Sequence, residues 1–516
     1  MKILKKKDIE EKINNLVTVE EGMELASKYY PFIPIQERSK IFNRVIFNRK
    51  TDSEDVYLSL KLATNLSFLF VSYPERIRSH LYDSNNMDFE MHVFRLFVKK
   101  IHDIYIKQQI DQTEEKEDKT FLTYLLYQFH YPTISAGDYI EMFKLFDDVS
   151  KEIYGFSIYD ITKMLMFFTS DVSLDNEKKV FSLTNEWISM ERIKKFFNIE
   201  LSPKILSGLF IDETEIKNKM IYPTDILKNF KGKIGIKLKK GFFIPQSYFV
   251  FENILRYLIE SEKSMGVKGD ILENHVEDIL KEYFGKENVI KTFYDDSGKE
   301  QDILVKHEKY VLSIECKAQD FKEVYRNQKQ SEIRLTRRFN NVILKGCQQC
   351  ERVKESFLKN DSVTFYNSDN KNKRGVVLEI PDTKKVNLIK IVITLDDYLN
   401  LSESPHDFLD SRYRDTWIIN LFTLKRILWA SEPEQFIKYA EYRTSGLKTI
   451  RSMNSDELEQ FGYFMSPNFD TYPQNDIGIT INLGQSFSRV FDKYDNYSYQ
   501  EEIKEWEEYI NKKIKK

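Results

Sequence analysis

The sequence predicts an α/β core set between a large, mainly α-helical N-terminal region and a small α/β C-terminal extension. Three observations carry this. Residues 1–220 are rich in Phe, Tyr and Lys and repeat at helical spacing, as in Phe89 to Gln109 and Tyr139 to Tyr154. Lys268 to Phe284 places Ile271, Leu272, Val276, Ile279, Leu280 and Phe284 on one side of a helix. Beyond it, Gln301 to Val305 and Tyr310 to Lys317 alternate as short strands, and VNLIKIVITL at Val386 to Leu395 reads as a buried strand closing the core.

A chain of 516 residues exceeds one ordinary domain, and two or three are expected. The divisions fall at 1–220, a mainly helical recognition or regulatory region; 221–265, a Lys-rich strand or hairpin with a linking helix; 266–395, the α/β core; and 396–516, the C-terminal extension. Within the first region Asp111 to Lys119 is a charge run and Tyr131-Pro132-Thr133 a turn. It holds no motif of known chemistry, so contact with a protein partner or a second copy of the chain is the expectation for it.

Composition narrows the classes. Hydrophobic residues make up 41%, with 38 Phe and 30 Tyr, enough for a large core. Net charge is −3 and the pI about 6.3, so any nucleic-acid contact must be a local basic patch. Three cysteines in this length suit a reducing cytoplasm and not a disulfide framework. Met1-Lys2-Ile3-Leu4-Lys5-Lys6-Lys7 lacks the apolar run of a signal peptide, and no stretch approaches the ~20 apolar residues of a membrane span. A cytoplasmic protein without membrane contact is expected. The seven histidines show no paired spacing, and no G-x-x-x-x-G-K-[ST] loop occurs.

Chemistry concentrates in the core. In Tyr310 to Lys317, Leu312, Ile314 and Cys316 share one face, while Val311, Ser313, Glu315 and Lys317 share the other. Glu315 and Lys317 therefore project side by side from an otherwise apolar strand, an arrangement that is costly without a partner. The polar turn Val305-Lys306-His307-Glu308-Lys309 folds the two strands into a hairpin that brings Asp302 to Glu315. Two converging carboxylates beside a lysine suit a hard cation such as Mg²⁺. On the preceding helix Glu273 and Glu277 stand one turn apart, and either can face that cation.

Gly269-x-x-x-Glu273 on a helix, then Gln301-Asp302-Ile303-Leu304-Val305, then Ile314-Glu315-Cys316-Lys317-Ala318, resembles the PD-(D/E)XK nuclease superfamily. The resemblance covers Lys268 to Leu395, about a quarter of the chain. It implies a restriction-endonuclease-like core, α-β-β-β-α-β with a mixed sheet. It also implies Asp302 and Glu315 as metal ligands, Lys317 as the catalytic lysine and Glu273 as the helical glutamate completing the site. Gln301 stands where the family pattern has proline. Some families of this superfamily place a glutamine on the following helix near the metal-bound water, a role that would fall here to Gln348 or Gln349, with Gln348 the assignment made.

The chemistry expected is Mg²⁺-dependent phosphodiester hydrolysis, with Mn²⁺ able to substitute and DNA preferred over RNA as substrate. Lys317 would orient or deprotonate the attacking water and offset developing charge; burial would lower its pKa and the carboxylates would raise it. The layout of a nuclease joined to a large helical region is similar to bacterial restriction or anti-phage effectors. The rivals are an RNA-cleaving nuclease of the same fold and a catalytically inactive nuclease-fold interaction protein.

Flanking segments supply candidate phosphate contacts. Lys231, Lys233, Lys237 and Lys239 share one strand parity against Ile234, Ile236 and Leu238, which reads either as a phosphate-contacting face or as a lysine-guarded edge. Asp320 to Lys345 holds seven Lys/Arg against three Asp/Glu, with Arg334, Arg337 and Arg338 clustered, so it either lines the substrate groove or is a solvated helix. The next helix is expected from about Asn340. Cys347-x-x-Cys350 lacks the further ligands of a zinc site and reads as apolar filler on one helix face. Lys359 to Arg374 is expected as a polar loop, Thr416 to Phe422 as a strand, Thr423 to Ala430 and Pro433 to Arg443 as helices, and Tyr499 to Lys515 as a charged helix, either solvated or an oligomer contact.

Overall fold

The computed structural model describes residues 6–47, 60–73, 86–111, 135–162, 203–212, 215, 230–238, 241–244, 249–319, 328–398, 409–445, 452–453, 456–466, 469, 480–481, 487–491 and 494. Most of the charge run after Asp111, the Tyr131-Pro132-Thr133 turn, Lys239, residues 320–327 of the basic stretch and the helix expected at Tyr499 to Lys515 lie outside them.

The described residues of the N-terminal region are mainly helical: α1 (Lys6–Asn14), α2 (Val19–Tyr29), α3 (Ile35–Phe47), α4 (Leu60–Ser72) and α5 (Met87–Asp111). Thr18 and Glu21 start α2 with a reciprocal capping box. The expected helix from Tyr139 to Tyr154 is two helices, α6 (Ala136–Leu145) and α7 (Asp147–Tyr154), broken at Phe146 and closed by Gly155 at φ +72°. After α8 (Pro203–Leu209) come β1 (Phe210–Asp212), β2 (Gly235–Leu238) and β3 (Gly241–Phe243), a three-stranded sheet in which β1 runs parallel and β3 antiparallel to β2. Phe210, Phe242 and Ile244 enter one hydrophobic core, and Ile211, Ile236, Leu238 and Phe243 enter another built mainly on α1 to α5. The sheet is a wall between two cores. The boundary expected near residue 220 does not separate them, because α6 and α7 pack in the same core as the strands that follow.

Helix α9 (Phe249–Glu260) leads into α10 (Lys268–Phe284), whose bounds are those read from periodicity. Three antiparallel strands follow, β4 (Val289–Tyr294), β5 (Glu300–His307) and β6 (Tyr310–Lys317). The β5–β6 register pairs Ile303 with Ile314 and His307 with Tyr310, so Glu308 and Lys309 alone make the turn, with Glu308 at φ +50°. From β6 the chain crosses by α11 (Gln328–Phe339), a π-helical segment (Asn340–Leu344) and α12 (Lys345–Lys359). The helix expected from Asn340 thus begins earlier and passes through a π turn. Next come β7 (Val363–Tyr366), β8 (Val376–Ile380) and β9 (Asn387–Thr394), which lies parallel to β6 over its full length. The polar loop expected at Lys359 to Arg374 is corrected: Val363–Tyr366 within it is a strand, seated by Val363 and Phe365 in the core beneath α12.

β10 (Thr416–Asn420) pairs parallel to β9, so β9 is an interior strand and does not close the sheet. The sheet order is β10-β9-β6-β5-β4-β7-β8. The C-terminal extension therefore adds one strand to this sheet and continues with α13 (Leu421–Trp429), α14 (Pro433–Ser445), α15 (Glu457–Phe464) and a separate short parallel pair, β11 (Ser452–Met453) and β12 (Thr480–Ile481). Ile303, Val305, Leu312 and Ile314 pack in the core under α10, while Leu304 and Val311 pack in the core under α12. A mixed sheet covered by helices on both faces is what the alternation in β5 and β6 requires. No helix among the described residues is long and apolar enough to cross a membrane.

Candidate active site

The hairpin register sets the site. With Ile303 opposite Ile314, Asp302 on β5 and Glu315 on β6 fall next to each other on the α12 face. Asp302 Oδ2 accepts the backbone N–H of Cys316 at 2.7 Å. Lys317 Nζ reaches Glu315 Oε2 at 2.9 Å and Asp302 Oδ2 at 3.4 Å. Cys316, one residue between them, turns into the opposite core as expected. The Glu315 side chain is 0% exposed, against 13% for both Asp302 and Lys317. The open side of the site is therefore at Asp302 and Lys317, with Glu315 behind them.

Charge is not balanced here. One oxygen of Glu315, Oε1, is buried with no hydrogen-bond partner. Burial, then the nearby charge of Asp302, pushes the Glu315 carboxyl up to about 8. The same two causes push Glu273 on α10 up to about 7. Burial draws the Lys317 ammonium down, but Glu315 and Asp302 outweigh it and hold the pKa above its ordinary value. The sequence left that sign open; in the folded site the two neighbouring carboxylates outweigh burial. Glu277, the alternative helical acid, is ion-paired along its own helix to Lys281 at 2.6 Å.

An orphaned carboxylate oxygen and acids that ionise reluctantly are what a divalent cation would relieve, and all-oxygen donors suit Mg²⁺. No group of three or more His, Cys, Asp or Glu side chains among the described residues stands ready to hold a metal. Mg²⁺ is ordinarily held by one or two carboxylates, with water and substrate phosphate completing the shell, so the Asp302–Glu315 pair fits that pattern.

Helix α12 backs the site. A Cβ built on Gly346 would meet Val392 Cγ1 and Cγ2 at 3.0 Å and Lys317 Cε at 3.3 Å, so this glycine lets the helix press against the lysine stem. A glycine inside a helical pattern signals such a contact, and the sequence reading passed over it. Gln348, the glutamine assigned to the site, is exposed. Gln349 lies one turn from Gly346, is half-buried, and keeps a buried, unpartnered Oε1. The helix face therefore favours Gln349 over Gln348. Cys347 and Cys350 are buried and free, and Cys350 Sγ donates at 3.5 Å to Ser313 O and Ile391 O, in keeping with the filler role expected.

The candidate nucleic-acid residues divide. Arg334 and Arg337 on α11 are exposed, and Arg338 donates to Gln319 Oε1 at 3.2 Å, two residues beyond Lys317. Lys233 and Lys237 belong to the other sheet segment. Lys237 is exposed on β2, but Lys233 Nζ is spent on the carbonyls of Ser207 and Gly208, at 2.6 and 2.8 Å, at the end of α8. Lys233 is corrected from a phosphate contact to a helix C-terminal cap. Comparisons with family models, with curated proteins and with solved structures find no match.

Proposed function

We propose that the chain is a metal-dependent phosphodiesterase, an endonuclease acting on DNA in preference to RNA, with Asp302, Glu315, Glu273 and Lys317 as its site. The observation that carries this is the fully buried Glu315 carboxyl, paired to Lys317 and crowded against the tethered Asp302 carboxylate. A purely structural ion pair would not need a second carboxylate crowded against the first. The helix–three-strand–helix order of α10, β4, β5, β6 and α12, with β9 parallel to β6, supports a restriction-endonuclease-like core, and the β7–β8 hairpin is an addition to it. Asp302 and Glu315 would hold Mg²⁺ or Mn²⁺, with Glu273 completing the set directly or through water. When bound, the cation supplies Lewis-acid polarisation of a phosphoryl oxygen and a more acidic water.

The chain's own part is positioning and electrostatics. Cys316 N–H fixes the Asp302 carboxylate and Gly346 fixes the stem of Lys317. Lys317, beside both carboxylates, would offset charge on the phosphoryl oxygens and orient the attacking water. Exposed Arg334 and Arg337, a short way along the chain from β6, would meet the phosphate backbone. A role in bacterial restriction or anti-phage defence, in which the helical region senses a trigger or partner, is the biological setting that this layout supports.

Cleavage of plasmid, linear single-stranded DNA and RNA with Mg²⁺ or Mn²⁺ tests this, comparing wild type with Lys317→Ala and Asp302→Ala. Loss of cleavage in both variants is expected. A folded wild type that neither cleaves nor binds Mn²⁺ would sink the reading.

A further inference from the structure

Strand β4 breaks a rule directly opposite Asp302. Thr292 has φ +53°, a left-handed backbone that a β-branched residue rarely adopts. The β4–β5 ladder pairs Lys291 with Ile303 and Phe293 with Gln301, but skips the pair between them, Thr292 and Asp302. The register is the same on both sides of the gap, so no residue has been inserted. The faces do change. Val289 packs in the core under α10, and Lys291, of the same parity, bonds Asn274 on α10. Phe293 shares that parity, yet it packs under α12, edge-on to Phe365 with ring centroids 5.0 Å apart.

A regular strand would set Thr292 beside Asp302 on the same face, with Cβ atoms roughly 5 Å apart, crowding the exposed side of the carboxylate. We propose that the left-handed kink at Thr292 is a positioning element of the acidic site: it interrupts the ladder opposite Asp302 and leaves the flank of that carboxylate clear for a divalent cation and a phosphate oxygen of the bound strand. The proposal rests on the nuclease reading above. Seating Phe293 under the β7–β8 hairpin is a structural task the kink also performs, so the test must separate the two. Local strain at a β-branched residue is of the kind that persists where the surrounding fold over-determines it, and such residues concentrate at functional sites.

The experiment titrates Mn²⁺ by calorimetry into the full chain as wild type, Thr292→Gly, Thr292→Val and Asp302→Ala, with thermal unfolding of each. Glycine enters the left-handed region freely, so Thr292→Gly should bind Mn²⁺ within about threefold of wild type. Valine keeps the β-branch, loses the hydroxyl and favours the extended strand, so Thr292→Val should bind at least about tenfold more weakly while unfolding cooperatively. Should Thr292→Val fail to fold, Thr292→Ala replaces it, with a weakening between those of glycine and valine expected. Wild-type affinity in a folded valine or alanine variant would overturn the proposal alone, assigning the kink to Phe293. A wild type that binds no Mn²⁺ would overturn the metal reading, and the proposal with it.

Discussion

The backbone N–H of Cys316 donates to Asp302 Oδ2 at 2.7 Å, tying the acid of one strand to the strand that carries Glu315 and Lys317. Lys317 then closes the triangle, as the nearest counter-charge to both carboxylates. Replacing Lys317 by Met removes the cation shared by two neighbouring acids, and although Glu315 can take up a proton the change costs about 1–3 kcal/mol. In metal-free buffer the urea midpoint of Lys317→Met is expected to fall accordingly, and Mn²⁺ should restore part of it by binding only the folded state. A variant as stable as wild type without metal would contradict this charge balance.

Gly346→Ala places a methyl group 3.0 Å from Val392 and 3.3 Å from Lys317 Cε. Overpacking of this kind costs about 1–3 kcal/mol. Because the displaced atom belongs to the candidate catalytic lysine, cleavage should fall by about tenfold or more, beyond any loss of folded protein. Single-turnover cleavage below the melting range measures this, and an unchanged rate would remove Gly346 from the site.

Lys390 is 2% exposed and sits between Glu351 and Asp415, the latter at 2.6 Å, while Lys354 reaches Asp415 at 2.6 Å from the other side. This network clamps α12 to β9 and the start of β10. Lys390→Met should destabilise by about 3 kcal/mol or more, since Glu351 is left buried with weaker compensation. Lys390→Met combined with Glu351→Gln should recover part of that loss in urea unfolding. No recovery would mean that the two side chains do not act as a pair.

Asp138 gives a pH signature. Burial pushes its carboxyl up, but Lys425 and then Arg426 hold it below its ordinary value; Lys425 Nζ lies at 2.7 Å and Tyr494 OH donates at 3.0 Å. The folded value lies below the unfolded value of about 3.9, so its contribution is fully present above about pH 5 and is lost as pH falls through the folded value. Asp138→Asn should lower stability near pH 7 and flatten the acid limb of a melting-temperature profile between about pH 2.5 and 6. An acid limb identical to wild type would assign acid sensitivity elsewhere.

Local periodicity was enough to read α10 to its end residues and to put Asp302 and Glu315 in one hairpin, because alternation and turn polarity are carried by adjacent residues. What escaped depended on distant partners. Val363–Tyr366 looked like a loop between polar neighbours until Phe293 and Phe357 gave it a core to enter. Strand parity offered Lys233 either as a phosphate contact or as an edge guard, and could not show that two carbonyls at the end of a helix about 25 residues earlier claim it. Gln348 and Gln349 are adjacent in sequence but point differently once Gly346 defines the inner face of α12. Thr292 gave no signal, since a β-branched residue in a strand pattern is the ordinary case.

The wall of β1, β2 and β3 binds the fate of the helical half to that of the half carrying the candidate site. Apolar residues of the sheet enter both cores, so neither half can own it outright. Cutting the chain near residue 220 would bare Ile236, Leu238 and Phe243, at about 2 kcal/mol for each apolar side chain returned to water. The halves should therefore melt as one transition in calorimetry, and an event that loosens α1 to α5 should reach the half carrying the candidate site through the hydrophobic surface they share.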